Sequence, residues 1–269
     1  MDLSEFKHYS YPDGHKHIVS DKDLHGEETL SVSIKSFDDL FMASQVKAIH
    51  PELKNLFIKY MLAGRCDRRF SPGEALDLEI VCNYINSMGF QGVSVLRPHS
   101  DKTMELLNNA RIVDVTYDIL TVCREELAKV RGHVCYVIPD HGASRWIKPT
   151  DWHLESYITG NKKRNPDGRI EISFVKNDWS NKLSIDQLDR KKDYHNFVII
   201  DDLCDGGGTF IEIAKKIKAA APHARVYLAV THAIFSKGFE PFQGWIDHIY
   251  CTNSFDNFDN KLVTQIKLP

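Results

Sequence analysis

Several things are scarce in this sequence, and each scarcity removes a class of function. No apolar run approaches the roughly 18–20 residues that a membrane-crossing helix needs, so no membrane partner is expected. The first residues, MDLSEFKHYSYPDGHKHIV, have neither the basic opening nor the apolar stretch of a secretory signal. The six cysteines (Cys66, Cys82, Cys123, Cys135, Cys204 and Cys251) include no CxxC pair, which predicts reduced thiols in a cytoplasmic protein. Basic charge is not in excess: 34 Lys and Arg stand against 37 Asp and Glu, and a net charge of −3 gives no reason to expect nucleic acid. Two nucleotide motifs are missing as well, the GK[ST] of the P-loop and the GxGxxG of the Rossmann turn. Thirteen histidines are present, but they lie mostly in separate stretches, so their number predicts no metal cluster.

What is present is a rhythm. The 269 residues, 42% of them hydrophobic, are enough for two domains of ordinary size. Short apolar segments alternate with amphipathic ones, the pattern of an α/β fold with parallel sheets. Strands are expected at 29–35, 55–62 and 92–97, with helices over 37–51 and 73–89. The second of these helices is expected to bury Leu76, Ile80, Val81, Tyr84 and Ile85. A second series follows, with strands at 133–139, 169–175, 197–200, 225–235 and 248–255. Segment 159–169, TGNKKRNPDGR, is polar, basic and turn-rich and is expected to be a mobile loop.

The stretch NFVIIDDLCDGGGTF, residues 196–210, carries the strongest chemistry. A buried strand ending on Asp201 and Asp202 would deliver both carboxylates to the carboxyl edge of the sheet, where α/β folds bind ligands. Glycines 206–208 let successive amide N–H groups converge, Thr209 adds a hydroxyl, and the positive end of the following helix aims at the same point. That is a cradle for an anion. Carboxylates would repel a phosphate but suit vicinal sugar hydroxyls, with or without a divalent cation. A ribose phosphate satisfies both halves, although a ligand-free glycine turn has the same composition.

VIIDDLCDGGGTF resembles the phosphoribosyl diphosphate (PRPP) loop of type I phosphoribosyltransferases and of ribose-phosphate diphosphokinases, the PRPP synthetases. Five further segments, in order, are similar to the synthetase family: YPDGHKHI (11–18), YMLAGRCDRR (60–69), VLRPHS (95–100), IPDHGASR (138–145) and VTHAIFSKG (230–238). The resemblance implies two phosphoribosyltransferase-like α/β domains, each a mainly parallel sheet flanked by helices, here expected at 1–125 and 126–269. It also implies transfer of the β,γ-diphosphate of ATP to the anomeric hydroxyl of a ribose 5-phosphate moiety, with Mg²⁺, in a homo-oligomer.

By position, the resemblance gives Tyr11, Asp13, Arg65, Asp67 and Arg68 to ATP, and His99 and Asp140 to the metal. His99 joins Lys162 and Arg164 as catalytic residues, the last two on a flap that closes over the transition state, with Lys163 a competitor for Lys162. Asp201 and Asp202 would hold the ribose hydroxyls, and Asp205, Gly206, Gly207, Gly208 and Thr209 its 5-phosphate. Phe6, Tyr9 and Tyr11 would offer an aromatic wall to adenine on a neighbouring subunit.

There are departures. Cys66 replaces the family's Gln, and Arg97 replaces an Asp before His99, which would weaken metal binding or pair with another phosphate. About one strand and one helix of the family's start are expected to be missing before YSYPDG. Gly206 stands where the family has Thr, which would open space beside the 5-phosphate. The chain resembles the short, divergent phage members of the family, some of which diphosphorylate ADP-ribose in a pathway that rebuilds NAD, so the acceptor is expected to be either ADP-ribose or ribose 5-phosphate. Two other readings are a phosphoribosyltransferase that consumes PRPP and a non-catalytic nucleotide-binding homologue.

Overall fold

In the computed structural model, residues 1–147, 149, 152–154, 156–164, 170–174 and 194–268 are described. They form two compact units, Met1–Asp114 joined by Leu268, and Val115–Lys267.

The first unit opens with a hairpin of β1 (His8–Ser10) and β2 (Lys16–Ile18), turned at Asp13–Gly14. A four-stranded parallel sheet follows, β3 (Thr29–Ser33), β4 (Asn55–Tyr60), β5 (Gly92–Leu96) and β6 (Ala110–Val113), in that spatial order. Helix α1 (Phe37–Ile49) starts where Ser36 and Asp39 form a reciprocal capping box, and it buries Leu40, Ala43 and Val46. Helix α2 (Asp77–Ser87) is rotated from expectation: it buries Leu78, Val81, Cys82 and Ile85, while Ile80 is 52% exposed. The helix begins at Asp77, and the stripe i, i+3, i+4, i+7 is counted from Leu78. A short α3 (Lys102–Leu106) precedes β6, a strand that the apolar pattern did not announce.

The second unit begins with α4 (Thr116–Leu127), followed by β7 (His133–Ile138), β8 (Tyr157–Arg164), β9 (Ile170–Phe174) and β10 (Tyr194–Cys204). It continues through α5 (Gly208–Ala220), β11 (Arg225–Ala233), β12 (His248–Thr252) and β13 (Val263–Ile266). The sheet order is β13-β12-β11-β10-β7-β8-β9, parallel except for β8 with β9. Central β10 is apolar on both faces because both are covered. Phe197 and Ile199 pack with Ile213 and Ile217 of α5, whereas Val198 and Ile200 pack with Ile119 and Cys123 of α4. Complete burial of each such side chain stabilises the fold by about 1.5–3 kcal/mol.

Two expectations change here. Segment 159–169 does not begin as a loop, since β8 runs to Arg164 and pairs with β9 through Lys162↔Ile172 and Lys163↔Glu171. Its charges signalled exposure, but a strand needs only a backbone partner, and β9 supplies one from around the buried Ile172. Residues 165–169 lie outside the described residues. Likewise β10 does not stop at its acids: Asp201, Leu203 and Cys204 pair with Val230, His232 and Ala233 of β11. The apolar run ends there, but the pairing does not.

Candidate active site

In the first unit, the turn after β4 presents Arg65 and Arg68 to solvent, with Asp67 half-buried. The Arg68 guanidinium lies 5.1 Å from the ring of Phe70. Ala63 opens this turn with φ +59°, a left-handed backbone that a non-glycine residue adopts at a cost. Gly64 then lies against the segment after the next strand: a Cβ there would sit 3.8 Å from the Cβ of His99, an ordinary contact distance. Two segments far apart in sequence, 64–69 and 97–99, are therefore side by side.

Arg97 is turned into the fold and not toward a ligand phosphate. Its side chain is buried and donates to Asp114 Oδ2 at 2.6 Å, with φ +33°. A guanidinium taken from water has to be paired, and this one is paired within the fold. Tyr11 is half exposed and stacks on His15 at 5.7 Å, while Asp13 Oδ1 accepts from the His15 amide in the β1–β2 turn. Tyr9 is exposed, but Phe6 is buried beside His50 and belongs to the core, not to an exposed aromatic wall.

In the second unit, parallel pairing brings the ends of β7, β10 and β11 to one edge. Asp140 follows β7, and its Oδ1 accepts from the Ala143 amide at 3.0 Å. Lys162 reaches it from β8, Nζ to Oδ2 at 3.9 Å. Lys163 is exposed, as the alternation of a strand requires. The side chain of Arg164 lies outside the described residues. What aims Lys162 is Gly160, where β8 leaves its parallel partner β7 and takes up antiparallel pairing with β9. A Cβ at 160 would stand 2.3 Å from the Pro139 carbonyl oxygen, so only glycine permits this crossing.

Asp201 and Asp202 lie three and two residues before the end of β10 at Cys204. Burial first, then the neighbouring charge of Asp202 and a smaller contribution from Asp140, hold the Asp201 carboxyl well above the usual carboxylate range. Its Oδ1 accepts from the Asp202 amide at 2.9 Å. Excess negative charge at one strand edge favours protons, hydroxyl donors or a cation. Among the described residues no group of three or more His, Cys, Asp or Glu side chains forms a metal cage. Mg²⁺ does not need one, because one or two carboxylates plus substrate phosphates suffice for it. The crowded acids fit that role.

The glycine loop is closed from behind. Gly207 caps α5 with φ +77°, and a Cβ there would lie 2.4 Å from the ring of Phe242. The first amides of the helix, from Gly208 onward, have no intrahelical acceptor and point out of its N-terminus. Gly206, however, does not border open space. A Cβ at 206 would meet Lys237 Cδ, Cε and Cγ at 3.2, 3.3 and 3.4 Å. The aliphatic stem of Lys237 fills the place of the absent Thr. Reading the motif alone missed this residue, and also missed Gly160, because neither signals its partner locally.

No protein-family model matches the chain. It is 23% identical over 224 residues to the ribose-phosphate pyrophosphokinase of Mycoplasmopsis pulmonis, covering 82% of this chain and 65% of that protein. To the protein of the same name from Sulfurisphaera tokodaii it is 26% identical over 249 residues, covering 87% and 78%. The crystal structure of phosphoribosylpyrophosphate synthetase from Mycobacterium smegmatis superposes with a TM-score of 0.75 at 14% identity, over 97% of this chain and 85% of that one. The chain is thus a relative of the ribose-phosphate pyrophosphokinases over most of its length and has the two-domain, phosphoribosyltransferase-like fold of a phosphoribosylpyrophosphate synthetase.

Proposed function

We propose that this protein transfers the β,γ-diphosphate of ATP to the anomeric hydroxyl of a ribose 5-phosphate moiety and releases AMP. The observation that carries this reading is the meeting, at one sheet edge, of the Lys162–Asp140 contact, the Asp201–Asp202 pair and the glycine-lined helix N-terminus. Each half of the acceptor has a complementary surface there. The acid pair accepts hydrogen bonds from the ribose hydroxyls, and the amides of 206–209 receive the 5-phosphate. The anomeric oxygen forms a bond to the β-phosphorus and loses its proton, and the bond from that phosphorus to the α-phosphate oxygen breaks.

Lys162, with Arg164 beyond it on β8, would stabilise the charge that develops on the transferred diphosphate. Asp140, and His99 by resemblance, would hold Mg²⁺, whose charge would add to that of Lys162. In the first unit, Arg65 and Arg68 suit ATP phosphates because exposed guanidinium groups at a strand end offer planar paired donors; Asp67, Tyr11 and Asp13 complete that side. The protein is further read as a cytoplasmic homo-oligomer, and no helix among the described residues is long and apolar enough to cross a membrane.

The acceptor is read as ribose 5-phosphate, either free or as the terminal sugar of ADP-ribose. AMP release from ATP and Mg²⁺, measured with each acceptor and with none, tests both levels. Release that depends on one sugar phosphate is expected, together with a loss of roughly 10²-fold or more in Lys162→Ala, the scale of removing one transition-state donor. Release no faster than without acceptor would sink the diphosphokinase reading.

A further inference from the structure

The loop after β11 is built to hold one side chain over the phosphate cradle. Phe235, with φ +49°, turns the chain back, and its buried ring is clasped by Phe239, Phe242 and Phe258 at 4.9, 5.5 and 5.2 Å. The amide of Gly238 closes the turn onto the Phe235 carbonyl at 2.8 Å. The amides of Ile234 and Phe235 donate to the Cys204 carbonyl, at 2.8 and 3.4 Å, which ties this turn to the strand that leads into the glycine loop. Lys237 belongs to this turn, is exposed as a residue, and packs its stem across Gly206. No carboxylate among the described residues pairs with its ammonium.

Electrostatics gives the lysine a purpose. Asp201, Asp202 and Asp205 stand within five positions of one strand end, and only neutral donors, the backbone amides and the Thr209 hydroxyl, attract a dianionic phosphate against them. Where a hydroxyl side chain at 206 would add one neutral donor, a lysine from the neighbouring turn adds a full charge. Gly206 and Lys237 are therefore two parts of one device: the glycine vacates the space that the lysine stem uses.

We propose that Lys237 binds the 5-phosphoryl group of the acceptor and is a specificity-determining residue of the sugar-phosphate site. This rests on the reading of the glycine loop given above. The test is calorimetric binding of ribose 5-phosphate, and of ADP-ribose, to the full-length protein and to its Lys237→Met and Lys237→Arg variants. Met keeps the apolar stem and removes the charge; Arg keeps the charge. Loss of one charge-assisted contact predicts roughly tenfold or more weaker binding for Met and near-native binding for Arg. In turnover, the KM for the acceptor should rise with the KM for ATP unchanged. Equal affinity in wild type and Lys237→Met, with circular dichroism showing both folded, would overturn the proposal, as would wild type binding neither compound. Lys237-dependent binding without AMP release would instead overturn the diphosphokinase reading and leave this assignment standing.

Discussion

At the scale of single residues, the site depends on side chains that are absent as much as on those that are present. Gly207 combines a left-handed backbone with a Phe242 ring 2.4 Å from where a Cβ would stand. Gly207→Ala should therefore destabilise the protein by about 2–5 kcal/mol, the sum of left-handed strain and overpacking, read from chemical denaturation. Asp201 gives a prediction of opposite sign. Its carboxyl titrates higher in the folded protein than in the unfolded chain, so its contribution to stability is complete at pH below the ordinary aspartate value. That contribution is lost as pH rises through the raised one. Asp201→Asn should raise Tm at pH 8, and the gain should shrink steadily toward pH 4. A constant gain across that range would show that the charge is not its cause.

At the scale of elements, β8 is the part whose behaviour the sequence most disguised. Its first residues pair in parallel with β7 and its later ones in antiparallel with β9, and Gly160 is the hinge between the two registers. In Gly160→Ala the new methyl would collide with the Pro139 carbonyl, so the strand must move and carry Lys162 away from Asp140. We expect kcat to fall at least tenfold, as misplacement of a catalytic group by about 1 Å can cost up to 10²-fold. The KM for ribose 5-phosphate should change little, because the glycine loop belongs to β10 and α5. A matched rise in that KM would mean that the damage reaches the whole sheet edge. Basic composition and turn residues made 159–164 read as a loop; strand pairing depends on a partner at 170–174, which no local pattern in 159–164 contains.

At the scale of the whole molecule, each unit has its own apolar core, and each carries one share of the proposed chemistry. Helix α4 shows how that division is made: Ile119, Leu120, Cys123 and Leu127 pack under the second sheet. Hydrogen exchange can test the division directly. Ribose 5-phosphate should slow exchange at 201–210 and 235–238 in the second unit, whereas a non-hydrolysable ATP analogue should slow it at 63–69 and 97–100 in the first. Protection by the sugar phosphate confined to the first unit would reverse the assignment of the two halves.

The sequence by itself determined the α/β class and most of the two series of strands, because both are written in local periodicity, and its short motif DDLCDGGGT raised the ribose-phosphate reading proposed above. Only the tertiary structure decided that Arg97 is consumed by Asp114, that Lys162 and not Lys163 meets Asp140, and that the space at Gly206 belongs to Lys237. These are contacts between residues 17, 22 and 31 positions apart. A pattern of residue types announces which groups are available; the register of strands and the reach of side chains decide which of them meet.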